Sequence, residues 1–222
     1  MTFSIAAHQG GRFGIAVSSS SPAVGARVVH LRDRVGAAAA QNITDPRLGT
    51  ALLDRLAAGA GPREALDAVV DGTPDISYRQ LTVVDASGAA ATYSGALTLG
   101  VHGEATGPHC AAAGNMLADS AVPAAMCEAF ASAGGELEER LFAALAAGLA
   151  AGGEAGPVYS AGLSTVSANG WRDTDLRVDW REDPVEALER LLGVWLPQRD
   201  DYVQRGLHPA ASPGYGVPGD DR

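Results

Sequence analysis

Helical periodicity comes in tandem pairs in this sequence, with short strands filling the intervals, and that order limits the folds open to it. Asp45-Pro46 marks the first start, with Asp45 as cap and Pro46 in the first turn. Leu48, Leu52 and Leu56 then recur on one face until Gly59-Ala60-Gly61. Pro62 opens a partner helix carrying Leu66, Val69 and Val70, stopped by Gly72 and Pro74. A second pair spans about residues 122 to 133, with Met126 and Phe130 inward, and about 136 to 150, with Leu137, Leu141, Leu145 and Leu149 four apart. Glu136 and Arg140 suit an exposed i,i+4 pair. A last helix begins at Asp183-Pro184, with Asp183 and Glu186 as a capping box. Leu188, Leu191, Leu192 and Trp195 face inward along it, and Pro197 ends it.

The intervals read as strands. Residues 2 to 7 and 12 to 19 form a hairpin about Gln9-Gly10-Gly11, with Phe13, Ile15 and Val17 on one face. Further strands fall at 34 to 41, 79 to 85, 89 to 94, 109 to 113, 158 to 167 and 176 to 180. Strand runs punctuated by helix pairs do not suit a βαβ order. They suit an α+β fold: two antiparallel sheets face to face with helices outside, a four-layer αββα sandwich over residues 1–197. Residues 198–222 turn to Asp, Pro, Gly and Tyr and read as an extended tail. Aromatics are only 5% of 222 residues against 46% hydrophobic, so Ala, Val and Leu must build the core and let layers approach closely.

The net charge of −10, with all 16 basic residues arginine and no lysine, offers no footprint for nucleic acid or anionic lipid. No apolar run reaches the ~20 residues of a membrane span, and no signal peptide is evident, so a cytoplasmic setting is expected. Cys110 and Cys127 lack metal spacing, and a reduced state is expected, with a disulfide between them the alternative. His8, His30, His102, His109 and His208 are scattered without zinc spacing. No metal or cofactor is expected. Cys110 and His109, as neighbours on a strand, would point to opposite faces and not form a nucleophile–base pair.

Thr2 directly follows Met1 and opens an apolar strand. A small residue after the initiator lets methionine aminopeptidase expose it. Thr2 would then carry a hydroxyl and a free α-amine of pKa about 8, a nucleophile with its own base. An ordinary start residue is the alternative. The layer order favours the first reading, because it opens the N-terminal strand between two sheets.

Several stretches in order carry a resemblance. They are Thr2-Phe3-Ser4-Ile5, Phe13 to Ser19, Ala23-Val24-Gly25, Val35-Gly36-Ala37 and Gln41 to Gly49. Arg79-Gln80-Leu81 with Val83-Val84-Asp85, Gly114-Asn115-Met116-Leu117, and Asp175 to Asp179 with Asp183-Pro184 follow. Across roughly residues 2 to 195 the chain resembles a bacterial and archaeal domain-of-unknown-function family, number one thousand and twenty-eight, of the N-terminal-nucleophile (Ntn) hydrolase superfamily. Longer members carry a tail like Tyr215 to Asp220. The resemblance implies the αββα fold and, by analogy, an amide-bond hydrolase. Proteasome-like Ntn enzymes support their threonine with an aspartate and a lysine. A loose register puts Ser18 at the aspartate's place, and the cation must be arginine, with Arg34 or Arg47 the candidates. The basic residue common in the family at Ser20 is missing, as are the polar and basic residues usual near Pro157-Val158-Tyr159.

Thr2, Ser19 and Gln41 form the expected catalytic set. Ser19 matches the family serine, and the backbone from Ala39 to Gln41 is an oxyanion-donor candidate. Ser18, Asn42, Arg47 and Arg79 form the expected substrate-binding set, with the arginines placed to fork a carboxylate. The alternatives are a solvated strand end for the serines, loop hydrogen bonding for Gln41 and Asn42, and surface positions for the arginines. Two functions compete: an N-terminal-threonine amidohydrolase acting on a small amide or peptide-like molecule through an acyl-enzyme, and a catalytically inactive small-molecule binding or assembly protein of the same fold. A different hydrolytic site on this scaffold is a third. A homodimer is expected from the small-residue surfaces of the architecture.

Overall fold

The computed structural model of the chain describes residues 1–220. The hairpin expected at the start forms from β1 (Thr2–Gln9) and β2 (Arg12–Ser19), turned by Gly10 and Gly11, both at positive φ. After it come α1 (Gly25–Val28), β3 (Val29–Arg32), β4 (Gly36–Asn42), α2 (Pro46–Ala57), α3 (Pro62–Asp71), β5 (Arg79–Asp85) and β6 (Ala90–Ser94). The second half holds β7 (Gly103–Gly107), β8 (Cys110–Asn115), α4 (Val122–Ser132), α5 (Leu137–Ala150), β9 (Ser160–Val166), β10 (Arg172–Val178) and α6 (Pro184–Leu207). The result is a mixed α/β architecture with six α-helices and two antiparallel sheets among the described residues. One sheet has the order β10-β9-β2-β1-β8-β7 and the other β3-β4-β5-β6.

The alternation of strand side chains sorts the interior into three clusters. Phe3, Ile5 and Ala7 of β1 pack with Met126, Phe130, Leu141, Leu145 and Leu188 of the later helices. The opposite face of that sheet gives Ala6, Phe13, Ile15 and Val17, which meet Val29, Ala37, Ala39 and Val84 of the smaller sheet. The smaller sheet's other face gives Ala38, Ala40, Leu81 and Val83, which pack on Leu48, Leu52, Leu56, Leu66 and Val69. The alanine run in β4 serves two clusters at once. Gly36 needs its missing side chain, because a Cβ there would lie 2.4 Å from the Val84 carbonyl oxygen and 2.8 Å from Leu56.

Several expectations need correction. The strand VHLR of β3 is short, and GEATG of β7 is polar and partly exposed, so neither announces itself by hydrophobic alternation. Asp45 caps α2 as expected, accepting from the Arg47 N–H at 3.1 Å. Asp183 makes no capping bond; its carboxylate pairs instead with Arg181 and Arg190. Glu136 and Arg140 share a backbone hydrogen bond but not the expected side-chain pair. Glu136 caps α5 in a capping box with Glu139, while the Arg140 side chain donates to the Phe130 carbonyl at 2.7 Å. Leu191 is exposed, not inward. The last helix does not end at Pro197 but runs on to Leu207, so residues 198–207 are helical and not extended. Pro197 forfeits only its own N–H bond there. Trp195 stacks on Tyr202 and Arg199 bonds Glu136 across the proline, so tertiary contacts hold the second half. Cys110 and Cys127 are free thiols, both buried.

Candidate functional site

β1 is central in its sheet, between β2 and β8, and its first residue pairs with Asn115. Alternation turns Thr2 to the same face as Ser4 and Ala6, the face toward the smaller sheet. Ala6 lies in the cluster between the sheets, and Ser4 Oγ donates to Gln41 Oε1 of β4 at 2.6 Å. The same argument puts Ser19 beside Thr2 and Ser18 on the opposite face, where Ser18 Oγ donates to the Ser160 carbonyl at 3.0 Å. Ser18 thus does not stand in for the aspartate of a supporting pair, and this part of the expected binding set is a strand-to-strand tie.

Thr2 Oγ1 and Ser19 Oγ lie 3.3 Å apart, and Ser19 Oγ lies 2.8 Å from Ser21 Oγ. The Ser21 hydroxyl accepts from Arg27, whose guanidinium also bonds the carbonyls of Pro22 and Ala23. Three hydroxyls therefore run from Thr2 to an arginine. The arginine joined to this run is Arg27, not Arg34 or Arg47. Arg34 sits in the turn before β4, away from the end where Asn42 and Thr2 lie, and Arg47 grips its own helix cap Asp45 at 2.9 and 2.7 Å. The Met1 carbonyl oxygen accepts from both the Thr2 and the Ser19 hydroxyls. Thr2 is only 5% exposed beneath that first residue.

A buried amide network supports this end of the two sheets. Gln41 Nε2 donates to Gln80 Oε1 at 2.9 Å and to the Ala113 carbonyl at 3.1 Å. Gln80 Nε2 reaches the Gly114 carbonyl at 3.0 Å, and Asn115 Nδ2 donates to Gln80 Oε1 at 3.1 Å. Gln41 thus spends its side chain holding the sheets together beneath Thr2. Asn115 Oδ1 is buried without a hydrogen-bond partner. Asn42, at φ +72°, donates to the Tyr78 carbonyl at 2.6 Å and accepts from Leu99 N, and Arg79 donates to the Ile43 carbonyl. Both brace the surrounding loops.

Residues 2–188 match the model of a family of unknown function, DUF1028. The chain belongs to that family. A crystal structure of protein SPO2555 from Silicibacter pomeroyi, described with the DUF1028 family, is 31% identical; the match covers 92% of this chain and 94% of that one, with a TM-score of 0.84. No curated protein matches the sequence.

The arrangement in this DUF1028 chain includes one carboxylate that the sequence analysis passed over. Glu154, in the loop after α5, forms a bridge with Leu117, and its Oε1 accepts from the Ser20 N–H at 3.0 Å. It is 5% exposed, and its Oε2 has no hydrogen-bond partner. Burial pushes its carboxyl above the usual range, while the Ser20 N–H and the chain's N-terminal ammonium pull the other way. Ser160 ties the β2–α1 turn in place, with its hydroxyl donating to the Ser21 carbonyl at 2.6 Å. A sequence signal did exist for part of this set. Gln80 stands beside the apolar Leu81, Val83 and Val84 of β5, and Asn115 ends the alanine-rich β8, a pattern that calls for buried partners. Glu154 sits alone in a glycine-rich loop, and Arg27 in a short turn helix, where periodicity carries no information. Among the described residues no three His, Cys, Asp or Glu side chains form a group that could hold a metal ion. No helix among them is long and apolar enough to cross a membrane.

Proposed function

We propose that this chain is an N-terminal-threonine amidohydrolase acting on a small amide or peptide-like molecule, on a four-layer αββα sandwich of Ntn type. The packing of helices on the outer faces of two stacked sheets supports the fold assignment. One observation carries the chemistry: a carbonyl oxygen, that of Met1, fits against the hydroxyls of Thr2 and Ser19 together. Removal of Met1 vacates that position for a substrate carbonyl and frees the Thr2 amine.

The amine takes the Thr2 hydroxyl proton, and Oγ1 attacks the amide carbon. Negative charge grows on the carbonyl oxygen, where the Ser19 hydroxyl donates. Ser21 and Arg27 behind it orient that hydroxyl and supply positive charge through the chain of hydrogen bonds. The C–N bond breaks as the amine returns its proton to the leaving nitrogen, leaving an ester on Thr2. Water, deprotonated by the same amine, attacks the ester, and the acid leaves with Oγ1 reprotonated.

Intact-mass measurement tests this reading. The purified protein is expected to lack Met1 and to gain one β-lactone adduct that Thr2→Ala abolishes. A Thr2→Ala chain with undiminished adduct or amidase activity rules the reading out. The absence of any lysine, and a serine turned away at the aspartate's place, favour the second reading, an inactive binding or assembly protein of the same fold. That reading predicts no adduct and ligand binding that survives Thr2→Ala.

A further inference from the structure

The end of β1 is flanked on both sides by residues that Glu154 touches. On one side β2 ends at Ser19, and the next N–H, that of Ser20, donates to Glu154 Oε1 at 3.0 Å. On the other side β8 ends at Asn115, the partner of Thr2, and Leu117 forms a bridge with the Glu154 backbone. The neighbouring bonds Ala118 N–H to the Gly153 carbonyl, 3.0 Å, and Ala155 N–H to the Met116 carbonyl, 3.0 Å, fix that loop from both sides. Glu154 therefore spans the position immediately ahead of Thr2. The first residue passes the same loop: a Cβ on Gly156 would lie 3.9 Å from Met1 Cε. One oxygen of the carboxylate is satisfied. The other, Oε2, is buried with no donor, an arrangement that is costly for a charged group unless a cation meets it.

The chain contains no lysine, so its N-terminus is its one aliphatic amine. We propose that Glu154 is a positioning residue that holds the α-ammonium of Thr2 through Oε2 once Met1 has left. This rests on the reading of Thr2 as the mature first residue. Glu154 does not touch the scissile group. It fixes where the nitrogen sits relative to Oγ1, and its charge sets the pH at which that nitrogen becomes a base. Arg27 opposes it from the other side through Ser21 and Ser19. Glu182, Asp183 and Glu186 line the same cavity as Glu154, of about 290 Å³, and Asp183 is already neutralised by Arg181 and Arg190.

Because no side-chain amine competes, acetic anhydride labelling across a pH series, read by mass after hydroxylamine has removed O- and S-acetyl groups, titrates the α-amine alone. The chain is released from an N-terminal fusion so that Thr2 is first. Glu154→Gln keeps an acceptor for Ser20 N–H and removes the charge. Its α-amine is expected to titrate at least about half a unit lower than wild type, with Glu154→Asp in between. The pH profile of β-lactone acylation should move down by the same amount. Identical titration in all three chains overturns the proposal. Should the Gln chain fail to fold, the wild-type amine is compared with that of the urea-unfolded chain. Burial acts to lower it, so a native value above the unfolded one that persists in the Glu182→Gln/Glu186→Gln chain supports the Glu154 pairing, and a value at or below the unfolded one, or one lost in that chain, overturns it. A shifted amine with no β-lactone adduct sinks the nucleophile and leaves the Glu154 pairing standing, so the two readings fail separately.

Discussion

At the scale of single residues, the candidate site gathers hydroxyls and one carboxylate. The Ser19 hydroxyl lies 3.3 Å from Thr2 Oγ1, and it is held by the Ser21 N–H at 3.1 Å and by Ser21 Oγ. Ser19→Ala is therefore expected to slow β-lactone acylation of Thr2 by about a hundredfold, the usual effect of deleting one oxyanion donor. Its fold should persist, because no apolar contact is lost; acylation kinetics and circular dichroism together check this. Glu154 makes a second prediction. In the chain that retains Met1 its carboxyl is raised by burial, so there it binds its proton more tightly folded than unfolded. Stability from this group is present below the ordinary glutamate range and declines as pH rises through the folded value. Glu154→Gln should flatten that decline, and urea midpoints from pH 4 to 8 measure it. Thr2 and Ser19 were legible in the sequence because a chain start and a matched serine are local features. Gln41 was legible as polar, but its role was not: its partners Gln80 and Ala113 come from other strands. Arg47 looked like a free fork, yet its ligand is the aspartate two residues before it.

At the scale of elements, helices with leucines four apart were readable, and α2, α3, α4 and α5 lie close to where the pattern puts them. β3 and β7 were not, since an edge strand of four or five residues with polar positions has no period to detect. α6 shows tertiary contacts overriding a local stop. Its interior proline removes one backbone bond, but the segment beyond it is anchored by Trp195–Tyr202 stacking, with ring centroids 5.3 Å apart, and by Arg205 over Tyr215. Pro197 is exposed. Pro197→Ala should then restore the missing helical bond and stabilise the segment by about 1–3 kcal/mol. Amide exchange of residues 198–207 should slow, while the rate in α2 stays unchanged. Faster exchange beyond residue 197 would mean that the proline shapes the helix instead of merely being tolerated.

At the scale of the molecule, the charge network that joins distant segments is centred on Glu138. Arg12 of β2 donates to both its oxygens at 3.0 and 2.5 Å, Thr165 of β9 and Thr174 of β10 donate at 2.8 and 3.0 Å, and Arg199 of α6 lies at 3.2 Å. One fully buried carboxylate thus ties α5 to three strands and the last helix. Burial by itself would raise its pKa, but the Arg12 guanidinium and the Thr165 hydroxyl outweigh that and hold it at about 2. The sign follows from that depression. The folded chain binds this proton more weakly than the unfolded one, so the stabilisation is complete above the ordinary glutamate range. It is lost as pH falls toward about 2, with a swing of roughly 3 kcal/mol at most. Glu138→Ala leaves Arg12 and Arg199 with only the more exposed Glu136 as a shared anion and should cost about 3–5 kcal/mol at neutral pH. Glu138→Gln keeps the volume and acceptance from the threonines, so its cost should be smaller but its acid-side slope should vanish. Denaturant titrations at pH 7 and pH 3 separate the two effects. Wild type should weaken between those values and Glu138→Gln should not, apart from the slope that the other carboxylates give both chains. Equal slopes would place the acid sensitivity outside this network and reduce Glu138 to a packing residue.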